Sequence, residues 1–275
     1  MSLITLTTDF GTKDHFVGAV KGAIYSQLEN AKIVDITHEI SPFNITETAY
    51  ILKNTYKSFP IGTIHIIGVD SELSDDNKHI ALELDGHFFI CPDNGLISMI
   101  ANEVQPTQVV EINIHDRVES SFPVLDVFVK VACFIVRGGS LSIIGKEINS
   151  FKKLVEIQPK INEDLNQITG GVIYVDNYGN VISNISKTMF DGIGKGRSFT
   201  IKAGRYTFRK VYNKYNEITL TDPKNPGFFD GNKLALFNSA GNLEIAIYRS
   251  NLRTVGGASS LLGLEYRDPV IIEFN

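Results

Sequence analysis

The residues with chemistry in them are carboxylates and amides placed just past short apolar runs. Asp9 ends the first such run in T-T-D-F-G-T-K-D, residues 7–14. A carboxylate past the end of a strand sits where open α/β sheets bind ligands, and it can accept both hydroxyls of a ribose diol. The same spacing fits a turn aspartate before Gly11, with Asp14 capping a helix. Asp70 repeats the placement after the run 63–69, followed by the acidic loop S-E-L-S-D-D-N-K that ends at Lys78. Composition alone favours a solvated acidic loop there. Pro92-Asp93-Asn94-Gly95 is turn chemistry. Asp176-Asn177-Tyr178-Gly179-Asn180 packs a carboxylate, an aromatic face and an amide into five residues. Such a set can hold an ammonium, stack on a base and bond its edge, and it can equally be a hairpin turn. Asn238-Ser239-Ala240-Gly241 is a similar turn, whose N–H groups could hold a carboxylate.

Other features lead away from chemistry. Gly192-Ile193-Gly194-Lys195-Gly196 has the look of a phosphate loop, but no strand precedes it and no helix follows, so it is expected as a flexible turn. His38 has no second ligand at metal spacing and is expected as a hydrogen-bonded structural histidine. Cys91 and Cys133 lie in apolar runs and are expected as buried, inert thiols. No metal site is expected.

These groups need elements to position them. The sequence predicts strands over 2–8, 32–36, 63–69 and 109–114, and a hairpin of 80–84 with 87–91 around Asp85-Gly86. Helices are predicted over 14–28, from an Asn44 cap with Glu47 three residues on to about Tyr56, and over 123–136. That alternation predicts an α/β N-terminal domain, a mixed sheet flanked by helices, over residues 1–150. The pattern is lost across 147–167, which places a linker at 151–168. From 169 to 275 short strands and turns predict an all-β, barrel-like C-terminal domain, with strands that include 217–222. With 275 residues, 43% of them hydrophobic, the chain can bury a core without disulfides. A net charge of −5 argues against nucleic acid or a basic membrane surface as partner. No apolar run reaches membrane-span length, and no leader pattern opens the sequence, so a cytoplasmic location is expected.

Taken together the motifs resemble the S-adenosylmethionine hydroxide adenosyltransferase family, relatives of the fluorinases and chlorinases. The resemblance rests on 7–14, V-D-I-x-H-x-I (34–40), P-F-N-I-x-E (42–47), P-D-N-G-L (92–96), D-N-Y-G-N-V-x-S-N (176–184), N-S-x-G-x-L-E-I-A (238–246) and L-L-G-L (261–264). It implies a homotrimer that binds a nucleoside between the two domains of neighbouring subunits, without a cofactor. The implied reaction is attack on C5′ of S-adenosylmethionine with methionine leaving. Asp9 would hold the ribose diol, Phe43 would cover the ribose side and Phe122 would line the pocket near C5′. Asp176 would take the methionine ammonium, Tyr178 would stack on adenine, Asn180 would read its edge and Ser239 would contact the methionine carboxylate.

The catalytic positions depart from the family. Its hydrolases carry V-D-P-G-V-G-x-x-R and F-H-G-R-D. Here Asp70 is kept, Asn77 stands for the arginine with Lys78 beside it, and Pro123 stands for the histidine. Val124 replaces the halogenases' serine or glycine, and residues are inserted around 248–255. Three readings follow: a hydrolase releasing adenosine and methionine with Asp70 and Lys78 organising the water, a nucleoside binder with little chemistry, or an enzyme for another adenosyl compound.

Overall fold

The computed structural model describes residues 3–101, 104–114, 120–155 and 157–275; Ser2 of the first expected strand lies outside them. The chain divides into two compact units, Met1–Val155 and Glu156–Asn275.

The N-terminal unit is built on one mixed sheet. Its strands are β1 (Leu3–Thr8), β2 (Lys32–Thr37), β3 (Ile64–Gly68), β4 (His79–Leu84), β5 (His87–Pro92), β6 (Gln108–Ile112) and β7 (Gly145–Glu147), in the order β2-β1-β3-β5-β4-β6-β7. The unit also carries helices α1 (Phe16–Gln27), α2 (Ile45–Lys53), α3 (Leu96–Ile100), α4 (Val129–Val136) and α5 (Leu141–Ile144). β1 pairs in parallel with β2 on one side and β3 on the other. The chain leaves β1 through α1 to β2, then returns past β1 through α2 to β3. β1 and β3 therefore flank the point where strand order reverses, the usual ligand crevice of such sheets.

All five residues of β3 are buried because both faces of the sheet are covered. Ile4, Leu6, Ile64 and Ile66 pack with Val20 and Ile24 of α1 and with Phe128. Ile67, Leu82 and Phe89 pack on the other face with Leu52 of α2 and Leu96 of α3. α2 starts where Asn44 Oδ1 accepts the Glu47 N–H at 3.0 Å. The expected reciprocal bond is diverted: the Glu47 carboxylate takes Asn44 Nδ2 and the Ser41 N–H. The hairpin forms as expected, with Asp85 and Gly86 both at positive φ between β4 and β5. α1 starts at Phe16, two residues later than expected, with His15 as its cap residue. The expected helix over 123–136 opens with a π-helical turn, Val124–Phe128, before α4.

The end of the same sheet away from the strand C-termini holds a buried histidine pair. His65 Nδ1 meets Thr5 Oγ1 at 2.7 Å, and His65 Nε2 meets His87 Nδ1 at 3.2 Å. Burial, reinforced by the neighbouring His87, pushes His65 down to about 3. Burial also lowers His87, while Asp85 beside it pulls the other way.

The C-terminal unit carries β8 (Lys160–Ile161), β9 (Gln167–Val175), β10 (Val181–Ser186), β11 (Phe199–Ala203), β12 (Tyr206–Phe208), β13 (Lys233–Phe237), β14 (Asn242–Ile247) and β15 (Pro269–Phe274). They run β12-β11-β15-β9-β10-β14-β13, with β8 added on β9. Every ladder is antiparallel, and the sheet curls into a nearly closed, barrel-like form. The corner lies at Gly170-Gly171, where β9 changes partner from β15 to β10. A Cβ on Gly170 would stand 2.5 Å from Asn184 Oδ1 and Ile185 Cγ1, so only glycine lets the strands approach there.

Two expectations fail in this unit. Residues 217–222, expected as a strand, lie mostly in a 3₁₀ helix, Tyr215–Thr221. Glu217 takes the backbone N–H of Asn213 at 2.7 Å, and Thr219 Oγ1 donates to the Asn216 carbonyl. Such local side-chain bonds compete with a sheet ladder. The glycine-rich stretch 192–196, expected as a turn, begins inside α6 (Lys187–Gly194). That helix is capped by Ser186 Oγ, which accepts from the Met189 N–H at 3.1 Å, and it closes on Lys195 and Gly196 at positive φ. A further α-helix of the unit is α7 (Ala258–Leu262).

Candidate functional site

Asp9 and Asp70 each follow one of the two strands, β1 and β3, that flank the strand-order reversal. Asp9 follows β1, and its Oδ2 accepts the Phe43 N–H at 3.0 Å. Phe43 holds a φ of +62°, which a bulky residue seldom adopts, and the residue is 71% exposed. Asp70 follows β3 with a φ of +50°. Non-glycine residues in this region carry strain of about 1–3 kcal/mol and cluster at functional sites. The loop after β1 is tied to the loop after β2 by the Gly11 N–H donating to the His38 carbonyl at 2.7 Å. His38 is structural, as expected: its Nδ1 meets Thr8 Oγ1 at 2.7 Å and its Nε2 meets Asp35 at 3.1 Å.

Asp70 is held by residues whose role the sequence did not reveal. Asn77 Nδ2 donates to the carbonyls of Asp70 at 2.8 Å and Glu72 at 3.0 Å. Asn94, buried after β5, donates to the Val69 carbonyl at 3.2 Å and accepts from the Leu96 N–H. The buried His79 Nε2 meets the Ser71 carbonyl at 3.0 Å. These bonds fix the backbone of the loop and leave the Asp70 carboxylate without a donor among the described residues. Lys78 points its ammonium at Asp75, 3.1 Å away, whose carboxylate is fully exposed. In P-D-N-G the turn reading holds, with Gly95 at positive φ, yet Asn94 also braces the Asp70 strand.

Beside these carboxylates stands an aromatic wall. Phe122 meets Phe10 at 5.4 Å and Phe16 at 5.3 Å, both edge-to-face. Val124 is fully buried, and a Cβ on Gly68 would lie 2.8 Å from its Cγ2. Pro123 is buried and offers no proton donor or acceptor. A carboxylate facing such a wall can orient a water molecule while the apolar groups strip its hydration.

In the C-terminal unit the turn 176–180 joins β9 to β10. Asp176 Oδ1 accepts the N–H groups of Tyr178 and Asn180, both at 2.8 Å, and its Oδ2 accepts from Asn180 Nδ2 at 3.0 Å. Tyr178 is 67% exposed, while Asn180 is buried. Gly179 has positive φ, and a Cβ there would meet Leu252 Cδ2 at 2.6 Å and Gly257 Cα at 2.9 Å. The inserted segment 248–255 therefore packs onto this turn through Leu252. Two residues missed in the sequence extend the cluster. Asn180 Nδ2 also reaches Tyr215 Oη at 3.4 Å, and Tyr215 donates to the buried Glu244. Burial pushes Glu244 up, with the Tyr215 bond pulling it back, and burial together with Glu244 pushes the Tyr215 hydroxyl up. Glu244 lies within the N-S-x-G-x-L-E-I-A motif, so its carboxylate inside an apolar strand was the available signal. Ser239 is exposed on the β13–β14 turn, which Asn238 Oδ1 organises by accepting the N–H groups of Ala240 and Asn242. Among the described residues no group of three or more His, Cys, Asp or Glu side chains is arranged around a metal position.

Residues 4–145 match the family described as the SAM hydroxide adenosyltransferase N-terminal domain, and residues 170–271 match its C-terminal domain. The chain belongs to the SAM hydroxide adenosyltransferase family. A relative from Methanocaldococcus jannaschii, named (R)-S-adenosyl-L-methionine hydrolase, is 31% identical over 99% of this chain and 96% of that protein. A fluorinase from Actinopolyspora mzabensis is 21% identical over 89% of this chain and 90% of its own length. The crystal structure of an uncharacterized conserved protein from Thermotoga maritima superposes with a TM-score of 0.84 at 28% identity, covering 98% of this chain and 99% of that one. The two positions at which the sequence departs from the motifs expected of the family, Asn77 and Pro123, have distinct surroundings. Asn77 spends its amide on loop carbonyls, and Pro123 opens the π-helical turn beneath Phe122. Cys91 and Cys133 are buried with thiols pushed up by burial, as inert cysteines should be.

Proposed function

We propose that this chain hydrolyses S-adenosylmethionine to adenosine and methionine. The carrying observation is that the two strands flanking the reversal point of the sheet end in Asp9, bonded to the Phe43 N–H, and in Asp70, whose carboxylate has no donor among the described residues. In this reading water attacks C5′ in line with the sulfonium, the C5′–S bond breaks with its electron pair leaving on methionine, and the water's surplus proton passes to solvent. A sulfonium needs no acid to leave, so the chain's task is to place and dehydrate the nucleophile. Asp70 orients the water, Phe122 and its neighbours exclude bulk solvent, Asp9 takes the ribose diol and Phe43 covers it. Lys78 supplies positive charge near the acidic loop. In the C-terminal unit Tyr178 stacks on adenine, Asn180 reads its edge, Asp176 takes the ammonium and Ser239 the carboxylate. No cofactor enters this scheme, and the chain acts as a cytoplasmic homotrimer. Among the described residues no helix is long and apolar enough to cross a membrane.

A second reading, a nucleoside binder with little turnover or one acting on another adenosyl compound, is favoured by Asn77 and Pro123, neither of which can supply the lost arginine charge or histidine base. Incubation of the purified chain with S-adenosylmethionine, with adenosine followed by chromatography and Asp70→Ala as control, tests both. Adenosine formed by the wild type and lost in the variant supports hydrolysis. Nucleoside binding without adenosine above the control supports the binder.

A further inference from the structure

The side-chain amide of Asn180 has a polarity that its surroundings dictate. Its Nδ2 lies 3.0 Å from Asp176 Oδ2 and 3.4 Å from Tyr215 Oη. A carboxylate oxygen only accepts. The Tyr215 hydroxyl has one proton, and that proton goes to Glu244, so toward Asn180 it too only accepts. Asn180 and Glu244 are 4% and 3% exposed, so a rotated amide would set its carbonyl against two acceptors in a nearly dry place. The nitrogen is therefore held inward. No protein group donates to Asn180 Oδ1 among the described residues, which leaves the carbonyl free for a ligand.

We propose that Tyr215 and Glu244 are positioning residues that lock the Asn180 amide with its carbonyl toward the ligand, so that the chain accepts 6-aminopurine nucleosides and rejects 6-oxopurine ones. This rests on the assignment of Asn180 to the base edge. The 6-amino group of adenine offers an N–H to that carbonyl. The 6-oxo group of hypoxanthine offers a second acceptor, and the locked amide cannot turn to meet it. Had Glu244 been apolar, the Tyr215 proton would be free to point at Asn180, and the amide could present either end.

The test is calorimetric titration of the full chain with adenosine and with inosine, in the wild type and in Tyr215→Phe, Glu244→Leu and Glu244→Gln, each checked for folding by its melting curve. The wild type is expected to favour adenosine by about tenfold or more, as a mismatched polar edge demands. Glu244→Gln still offers an oxygen to the tyrosine proton and should keep that ratio. Glu244→Leu and Tyr215→Phe should lower the ratio by about fivefold or more, by weakening adenosine while improving inosine. Equal wild-type affinity for the two nucleosides overturns the inference and leaves the proposed function standing. So does a parallel weakening of both nucleosides in the variants at an unchanged ratio, which is what a purely structural role would give. A wild type that binds neither adenosine nor S-adenosylmethionine overturns the proposed function, and this inference with it.

Discussion

The two units carry their carboxylates in opposite ways. In the N-terminal unit Asp9 has one protein donor and the Asp70 carboxylate has none among the described residues, while the backbone beneath Asp70 and Phe43 is held at positive φ. In the C-terminal unit Asp176 is satisfied by its own turn, and Asn180, Tyr215 and Glu244 continue the chain of bonds. The first arrangement stores strain and leaves polar groups waiting for a ligand or a water. The second has its N–H and O–H donors partnered before any ligand arrives and leaves the Asn180 carbonyl open. Unoccupied, strained groups suit the step where charge is redistributed, and finished networks suit recognition, because they hold one geometry.

That contrast can be broken in order of expected effect. Asp70→Ala should reduce adenosine formation by about 10²–10⁴-fold while leaving the affinity for adenosine nearly unchanged, since it removes only the water's orienting group. A matching loss of affinity, read by calorimetry, would mean that Asp70 belongs to recognition and that the division between the units is false. Asp9→Ala and Asp176→Ala should each weaken nucleoside binding by about 1–3 kcal/mol, the cost of a lost charge-assisted bond. Only Asp176→Ala should also lower the melting temperature, because only Asp176 organises its own loop.

Acid should act on the two units with opposite sign. The His65 proton affinity is depressed in the folded state, so the unfolded chain binds more protons below about pH 6.5. The N-terminal unit keeps its full stability above that pH and loses up to about 1.4 kcal/mol per pH unit on the way down toward pH 3. Glu244 is raised, so folding favours its protonated form and the C-terminal unit gains stability as pH falls toward the ordinary glutamate range. Hydrogen exchange followed from pH 7 to pH 5 should show β3 and β5 losing protection while β14 holds or gains it. Uniform loss in both units would count against this division. The smallest effect is expected from Phe43→Gly, which relieves the strained backbone and should raise stability by about 0.5–1 kcal/mol in a thermal melt while weakening nucleoside binding.

Much of the N-terminal fold was legible because its signals are local or periodic. The buried run at 63–69, the Asn44 cap and the Asp85-Gly86 turn each state their structure within a few residues. The 3₁₀ helix at 215–221 was not legible, since its β-branched residues read as a strand and the bonds that decide otherwise involve Asn213 and the distant Glu244. α6 was obscured by its glycines, and the serine that caps it lies at the end of a strand. At the site the carboxylates could be read from their place after strands. The supporting amides of Asn77 and Asn94 could not, because their work is done on backbone carbonyls that sequence does not display. Tyr215 and Glu244 are separated along the chain, and only folding makes them partners.

The histidine pair at the far end of the sheet's central strands has a consequence in the counting of hydrogens. Two imidazoles have four nitrogens, but the contact between His65 Nε2 and His87 Nδ1 has room for one hydrogen only. With the contact intact the pair can carry two protons or three, never four. The first added proton can be shared out by switching which ring donates, with Thr5 Oγ1 accepting from His65 Nδ1 when needed. The second sets N–H against N–H and parts the rings. The pair thus titrates as a coupled unit, and a second proton cannot be held while the contact between the rings is intact.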